Sequence, residues 1–191
     1  MKHIKMLGLL VMAAAALMAF ASSASAAPVL TSPAGTDYTG EIHATLEGGT
    51  ATLKAGIEDT CTESTAIVKV ETNTAEHAAG PITEGGLTFG KCTQDTTVIN
   101  PGRLTIDDKG TVFTEGSRVE VKVTSLGITC FYGAETAKVD IGTLTFGTPA
   151  TLDVTATELQ RESGSNTFFC AEKGIWNGKY LVTTPGTLLL T

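Results

Sequence analysis

Apolar residues at every second position are the feature that most constrains this chain, because that repeat can be buried only as a β-strand. In Glu41-Ile42-His43-Ala44-Thr45-Leu46-Glu47 the apolar side chains alternate with polar ones, the period of a strand with one wet face. Ala51, Leu53, Ala55 and Ile57 continue the pattern, and the intervening Gly48-Gly49 predicts a hairpin turn. Further strands are expected at 66–71, 86–91, 103–106, 111–114, 118–124, 128–132, 137–146, 151–157, 168–171, 179–183 and 187–190. Composition agrees: 33 threonines suit a pleated, half-buried surface and 21 glycines supply turns. Thr-rich secreted stalks are also Pro-rich and lack regular apolar positions, so this chain is not one of them. Helix has little room. Thr74 is expected to cap one turn over 75–79, stopped by Gly80-Pro81, and 157–162 is expected as a strand end or bulge. The fold class that follows is all-β, an antiparallel β-sandwich with a barrel-like alternative.

The N-terminus assigns a compartment. Lys2 and Lys5 precede an apolar run from Met6 to Phe20, followed by small residues ending Ala24-Ser25-Ala26. This is the layout of a signal peptide cleaved after Ala26. The apolar run falls short of the roughly 20 residues that cross a bilayer as a helix. A single secreted domain over 27–191 remains, with no membrane span. Cleavage removes Lys2 and Lys5 and no acid, so the formal charge of −7 becomes −9. That balance disfavours a phosphate backbone, so no nucleic-acid partner is expected.

Cys61, Cys92, Cys130 and Cys170 are an even set in an oxidising compartment, which favours disulfides. The expected pairs are Cys61–Cys92 and Cys130–Cys170, nearest neighbours in sequence. There is no C-x-x-C pair, so no metal site and no cofactor is expected. A weak internal echo supports the pairing. Cys61 precedes Lys69-Val70 at the distance by which Cys130 precedes Lys138-Val139, and Gly86–Gly90 resembles Thr143–Gly147. A degenerate duplication and coincidence in a low-diversity chain stand about equal.

No residue set announces catalysis. The chain has no G-x-S-x-G elbow, no H-E-x-x-H pair and no Gly-rich phosphate loop. Asp107-Asp108-Lys109-Gly110 and Glu58-Asp59 read as turns rather than calcium ligands. His43 falls on the polar face of a strand and His77 in the expected helical turn, with nothing to join them. Trp176 and Tyr180 are the candidate ligand contacts, since both carry an apolar face and a polar tip. Core packing is the stronger expectation for Trp176. Phe131-Tyr132 and Phe168-Phe169 flank cysteines and are expected to pack around the disulfides.

The ending Trp176-x-Gly178-x-Tyr180-x-Val182-Thr183-Thr184-Pro185, after Cys170, resembles a closing segment of uncharacterised secreted all-β proteins of actinobacteria. Leu87-Thr88-Phe89-x-x-Cys92 is similar to another piece of that pattern. The resemblance implies an extracellular all-β domain and brings no functional residues. The functional expectation is a non-catalytic extracellular or cell-envelope protein with a binding or structural role and an unidentified extracellular ligand or surface partner. The alternatives are a secreted hydrolase using carboxylates brought together by the fold, and a subunit of a surface assembly joined through strand edges such as 187–190.

Overall fold

The computed structural model describes residues 29–33 and 35–191; the expected signal peptide, Met1–Ala26, lies outside them. The first strands are β1 (Leu30–Thr31), β2 (Glu41–Leu46), β3 (Ala51–Lys54), β4 (Glu58–Lys69), β5 (Thr72–Asn73) and β6 (His77–Pro81). Next come β7 (Thr88–Cys92), β8 (Asp95–Asn100), β9 (Arg103–Asp107), β10 (Thr111–Glu115) and β11 (Arg118–Val123). The last are β12 (Ile128–Gly133), β13 (Val139–Thr145), β14 (Thr151–Arg161), β15 (Lys173–Thr184) and β16 (Leu189–Leu190). A 3₁₀ turn at Thr124–Leu126 is the only helical element among the described residues. All named strand pairs are antiparallel, as the alternating pattern requires.

Three long strands organise the molecule, because each serves two neighbourhoods. The C-terminal part of β4 pairs with β2, while its N-terminal part pairs with β3 and β7. β15 likewise pairs with β3 near its start and with β2 near its end. β14 pairs with β13 at one end and with β12 at the other. One path runs β4–β2–β15–β14–β13–β10–β9–β6 and returns to β4 through the Val68–Ile82 bridge, a barrel-like closure. Thr83 N–H donates to Ile67 O and Glu71 N–H to Ala79 O across the same seam. Closure pairs the strands along this path, while β7 and β8 lie off it and each pair with one strand, β4 and β11.

Several expectations change. Gly48-Gly49 is not a hairpin: β2 and β3 do not pair with each other but lie in succession between β4 and β15. The hairpin comes later, at Ala55–Ile57, where Ala55 N–H donates to Ile57 O. The helical turn after Thr74 is instead the β5–β6 turn, in which the Thr74 hydroxyl accepts from His77 N–H. His77 consequently starts a strand. A hydroxyl that bonds nearby backbone serves a helix cap and a turn alike, which is why the two are confused in sequence. Residues 157–161 hold to the expectation: they continue β14 beyond a bulge between Val154 and Thr157, and the strand ends before Glu162.

The buried side chains form three clusters. Val29, Leu30, Ile42, Val70, Ile106, Val112 and Val182 belong to the largest. A second gathers Val123, Ile128, Tyr132 and Leu159 around Cys130 and Cys170. Ala44, Val154 and Tyr180 make the third. Trp176 packs against all three, opposite Thr157 at the edge of the β14 bulge. The chain end, expected as an edge strand, is tied down: β16 pairs with β1, and Leu188 exchanges backbone hydrogen bonds with Gly147. Residues 188–190 are thus paired with Gly147 and with β1.

Candidate functional site

Both expected disulfides are formed, Cys61–Cys92 and Cys130–Cys170. The first joins register partners on β4 and β7. Around it, Glu58-Asp59 departs from the turn expected there, because Asp59 lies inside β4 and is 3% exposed. Its carboxylate accepts from the Thr93 hydroxyl (3.1 Å), Gln94 N–H (2.9 Å) and the Thr96 hydroxyl (2.5 Å). These bonds fix the β7–β8 connection against β4, and a buried carboxylate needs such donors to offset its lost hydration. Asp59, Cys61 and Cys92 lie close enough together to suggest metal ligands. Both sulfurs are bonded to each other, which leaves no thiolate for an ion.

The second disulfide ties β12 to the segment between β14 and β15, which forms no strand between residues 162 and 172. A strand was expected at 168–171. Instead, Asn166 folds the chain back: its side-chain oxygen accepts from Phe168 and Phe169 N–H, and its backbone oxygen accepts from Cys170 N–H. This is the local competition that Asn offers to a strand ladder. The Ser165 hydroxyl donates to backbone oxygens of the same neighbourhood and accepts from Phe131 N–H. Arg161 donates to Cys170 O at 2.7 Å and Arg118 to Ser163 O at 2.6 Å. The Tyr132 hydroxyl, fully buried, reaches Ala171 O (2.9 Å) and Ala55 O (3.1 Å). Burial pushes its pKa up, and the nearby Arg161 charge opposes that shift.

This scaffold presents Phe168 and Phe169 outward. Phe168 is 85% exposed and Phe169 49% exposed, their rings edge to face at 4.8 Å. The expectation that they pack around the disulfide is corrected; only Tyr132 of the four aromatics flanking the cysteines is wholly buried beside it. Leu126 stands exposed in the β11–β12 turn, and Thr129, just after that turn, accepts from Asn166 N–H.

Trp176 and Tyr180 lie elsewhere. Tyr180 is 2% exposed, its hydroxyl 3.0 Å from the Ser64 hydroxyl, and Trp176 is half-buried. Trp176 sits edge to face with Phe89 at 6.2 Å and with Tyr180 at 6.3 Å. Burial drives the Tyr180 pKa up to about 12, with Ser64 pulling the other way. The pair lines an interior cavity of about 90 Å³ rather than a surface platform.

The remaining candidates resolve as structure. Asp107 Oδ1 accepts from Lys109 and Thr111 N–H, closing the β9–β10 turn, where Gly110 takes φ +83°. Burial pushes its carboxyl up, but those bonds and the Lys109 charge outweigh it and hold the pKa below the usual value. His43 meets Glu41 at 3.0 Å on the surface. An open cleft of about 530 Å³ has Glu71, Glu115 and Glu135 among its lining residues. Two of these acids are engaged: Arg103 meets Glu115 at 3.4 Å and Arg118 meets Glu135 at 3.0 Å. Sequence reasoning missed the exposed Phe168-Phe169 pair. The signal was the turn-forming Asn166 just before it, whose oxygens accept from the following backbone N–H groups, overridden by the neighbouring cysteine. Comparison with protein-family models, curated proteins and solved structures found no match.

Proposed function

We propose that this is a secreted, non-catalytic binding protein of the extracellular space or cell envelope, which contacts its partner through the Phe168-Phe169 end. The observation that carries the reading is the exposure of two adjacent phenylalanines on a loop held by a disulfide and several side-chain hydrogen bonds. Large apolar side chains left in water usually mark a contact surface, and a rigid loop loses little entropy on docking. The signal-like N-terminus supports the compartment. Two disulfides agree with an oxidising one.

The test is to produce the full chain in its own cells and separate medium from envelope. The mature N-terminus should read Ala27. Wild type should be retained on the envelope, and Phe168→Ser with Phe169→Ser should shift it into the medium with an unchanged unfolding midpoint. An unchanged distribution would overturn the assignment of the contact surface.

A further inference from the structure

We propose that the interior cavity bounded by Leu53, Phe89, Val121, Tyr132, Trp176 and Tyr180 binds a small uncharged aromatic molecule. This site is separate from the Phe168-Phe169 end and does not depend on its role. Close-packed protein interiors hold few voids larger than a water. Here about 90 Å³ lies between walls contributed by both neighbourhoods of the long strands. A second, separate apolar cavity of about 50 Å³ is lined in part by the same Ala44, Ala66, Leu104 and Leu152. Apolar cavities on the order of 150 Å³ stay dry and take up benzene or xenon.

The lining selects the ligand's chemistry. Its wall is almost wholly carbon, and four of the polar side chains that line it are already engaged. Asp59 is held by Thr93, Gln94 and Thr96, and the Thr114 hydroxyl donates to Arg103 O. The Tyr132 hydroxyl bonds Ala55 and Ala171 oxygens, and that of Tyr180 bonds Ser64. A charged or strongly polar guest would lose its hydration without gaining a partner. A ring gains more than an alkyl chain, because Phe89, Trp176 and Tyr180 already form an edge-to-face series with interplanar angles of 77° and 70° that another ring can extend.

Trp176 is the only tryptophan and lines the cavity, so it reports directly. Mature protein is titrated with benzene, and with benzoate as the charged counterpart, following Trp176 emission and the thermal unfolding midpoint. Benzene should change the emission saturably and raise the midpoint, as any ligand of the folded state does; benzoate should do neither. Ala51→Leu, which fills the cavity from its wall, should weaken benzene binding by about tenfold or more. Val121→Phe does the same if the first variant fails to fold. Failing both, cross-relaxation between benzene protons and the Trp176 and Tyr180 rings decides. The absence of a saturable wild-type response, a folded filled variant that binds as wild type, or the absence of that cross-relaxation would overturn the proposal.

Discussion

The two disulfides are chemically alike and close loops of similar length, with sequence separations of 31 and 40 residues, yet they sit in opposite kinds of structure. Cys61–Cys92 lies within a ladder, between strands already paired at Glu63–Gly90, Ser64–Phe89 and Thr65–Thr88. Cys130–Cys170 joins a strand to a segment with no ladder, where side-chain hydrogen bonds stand in for backbone pairing. In the first region the bridge reinforces a register that alternation and pairing already specify. In the second it helps hold the only described loop that presents two large aromatics to solvent. The same bond adds to an existing ladder in one place and joins a segment without one in the other.

The largest test removes each bridge. Cys61→Ala with Cys92→Ala, and Cys130→Ala with Cys170→Ala, should each lose about 4 kcal/mol in denaturant unfolding, by loop entropy alone. They should differ in the native state: limited proteolysis is expected to cut between residues 162 and 172 only when Cys130–Cys170 is gone. Equal protection of that loop in both variants would erase the distinction.

Asp59→Ala probes the ladder side. It strands Gln94 N–H and two hydroxyls that now share one carboxylate, and should cost about 3 kcal/mol. Calorimetry on the variant checks this; a loss near zero would mean that the β7–β8 connection does not lean on Asp59.

Tyr180 sharpens the same side through pH. Its folded pKa of about 12 exceeds the ordinary value of about 10, so the native state holds the phenolic proton more tightly than the unfolded chain. The stabilisation is intact below pH ~10 and is lost as pH rises toward ~12, by about 2–3 kcal/mol. Denaturant midpoints across that window should fall in wild type and fall less in Tyr180→Phe. Matching slopes would break the assignment.

Asp107→Ala serves as the control outside both regions. It removes the two backbone bonds closing the β9–β10 turn and should cost about 1 kcal/mol, with the 162–172 loop still protected from protease.

The internal echo illustrates how far sequence likeness can part from structure. Cys61 and Lys69 share β4, whereas Cys130 lies in β12 and Lys138 precedes β13. Gly86–Gly90 leads into β7, while Thr143–Gly147 closes β13. The disulfide pairing that the echo supported is nonetheless the one formed. Similarly, Gly48-Gly49 marked a true interruption, but a glycine pair signals only that a strand is broken. Whether the chain then reverses or continues depends on β4 and β15, which pair with both β2 and β3.

By itself, the sequence determined the all-β class and the antiparallel pairing, because both follow from local period; an even cysteine count announced two bridges, and the nearest-neighbour choice among three pairings is the one formed. The Asp107 turn was legible for the same reason: its bonds reach no further than Thr111. Tertiary structure alone decided that Asp59 is buried, that Phe168 faces solvent and that Trp176 and Tyr180 meet around a cavity. Those outcomes depend on partners such as Thr96 for Asp59, Phe131 for the Ser165 that holds the loop and Phe89 for Trp176, 37, 34 and 87 positions away along the chain. Burial is a property of what arrives opposite a residue, and no spacing within one strand records that arrival.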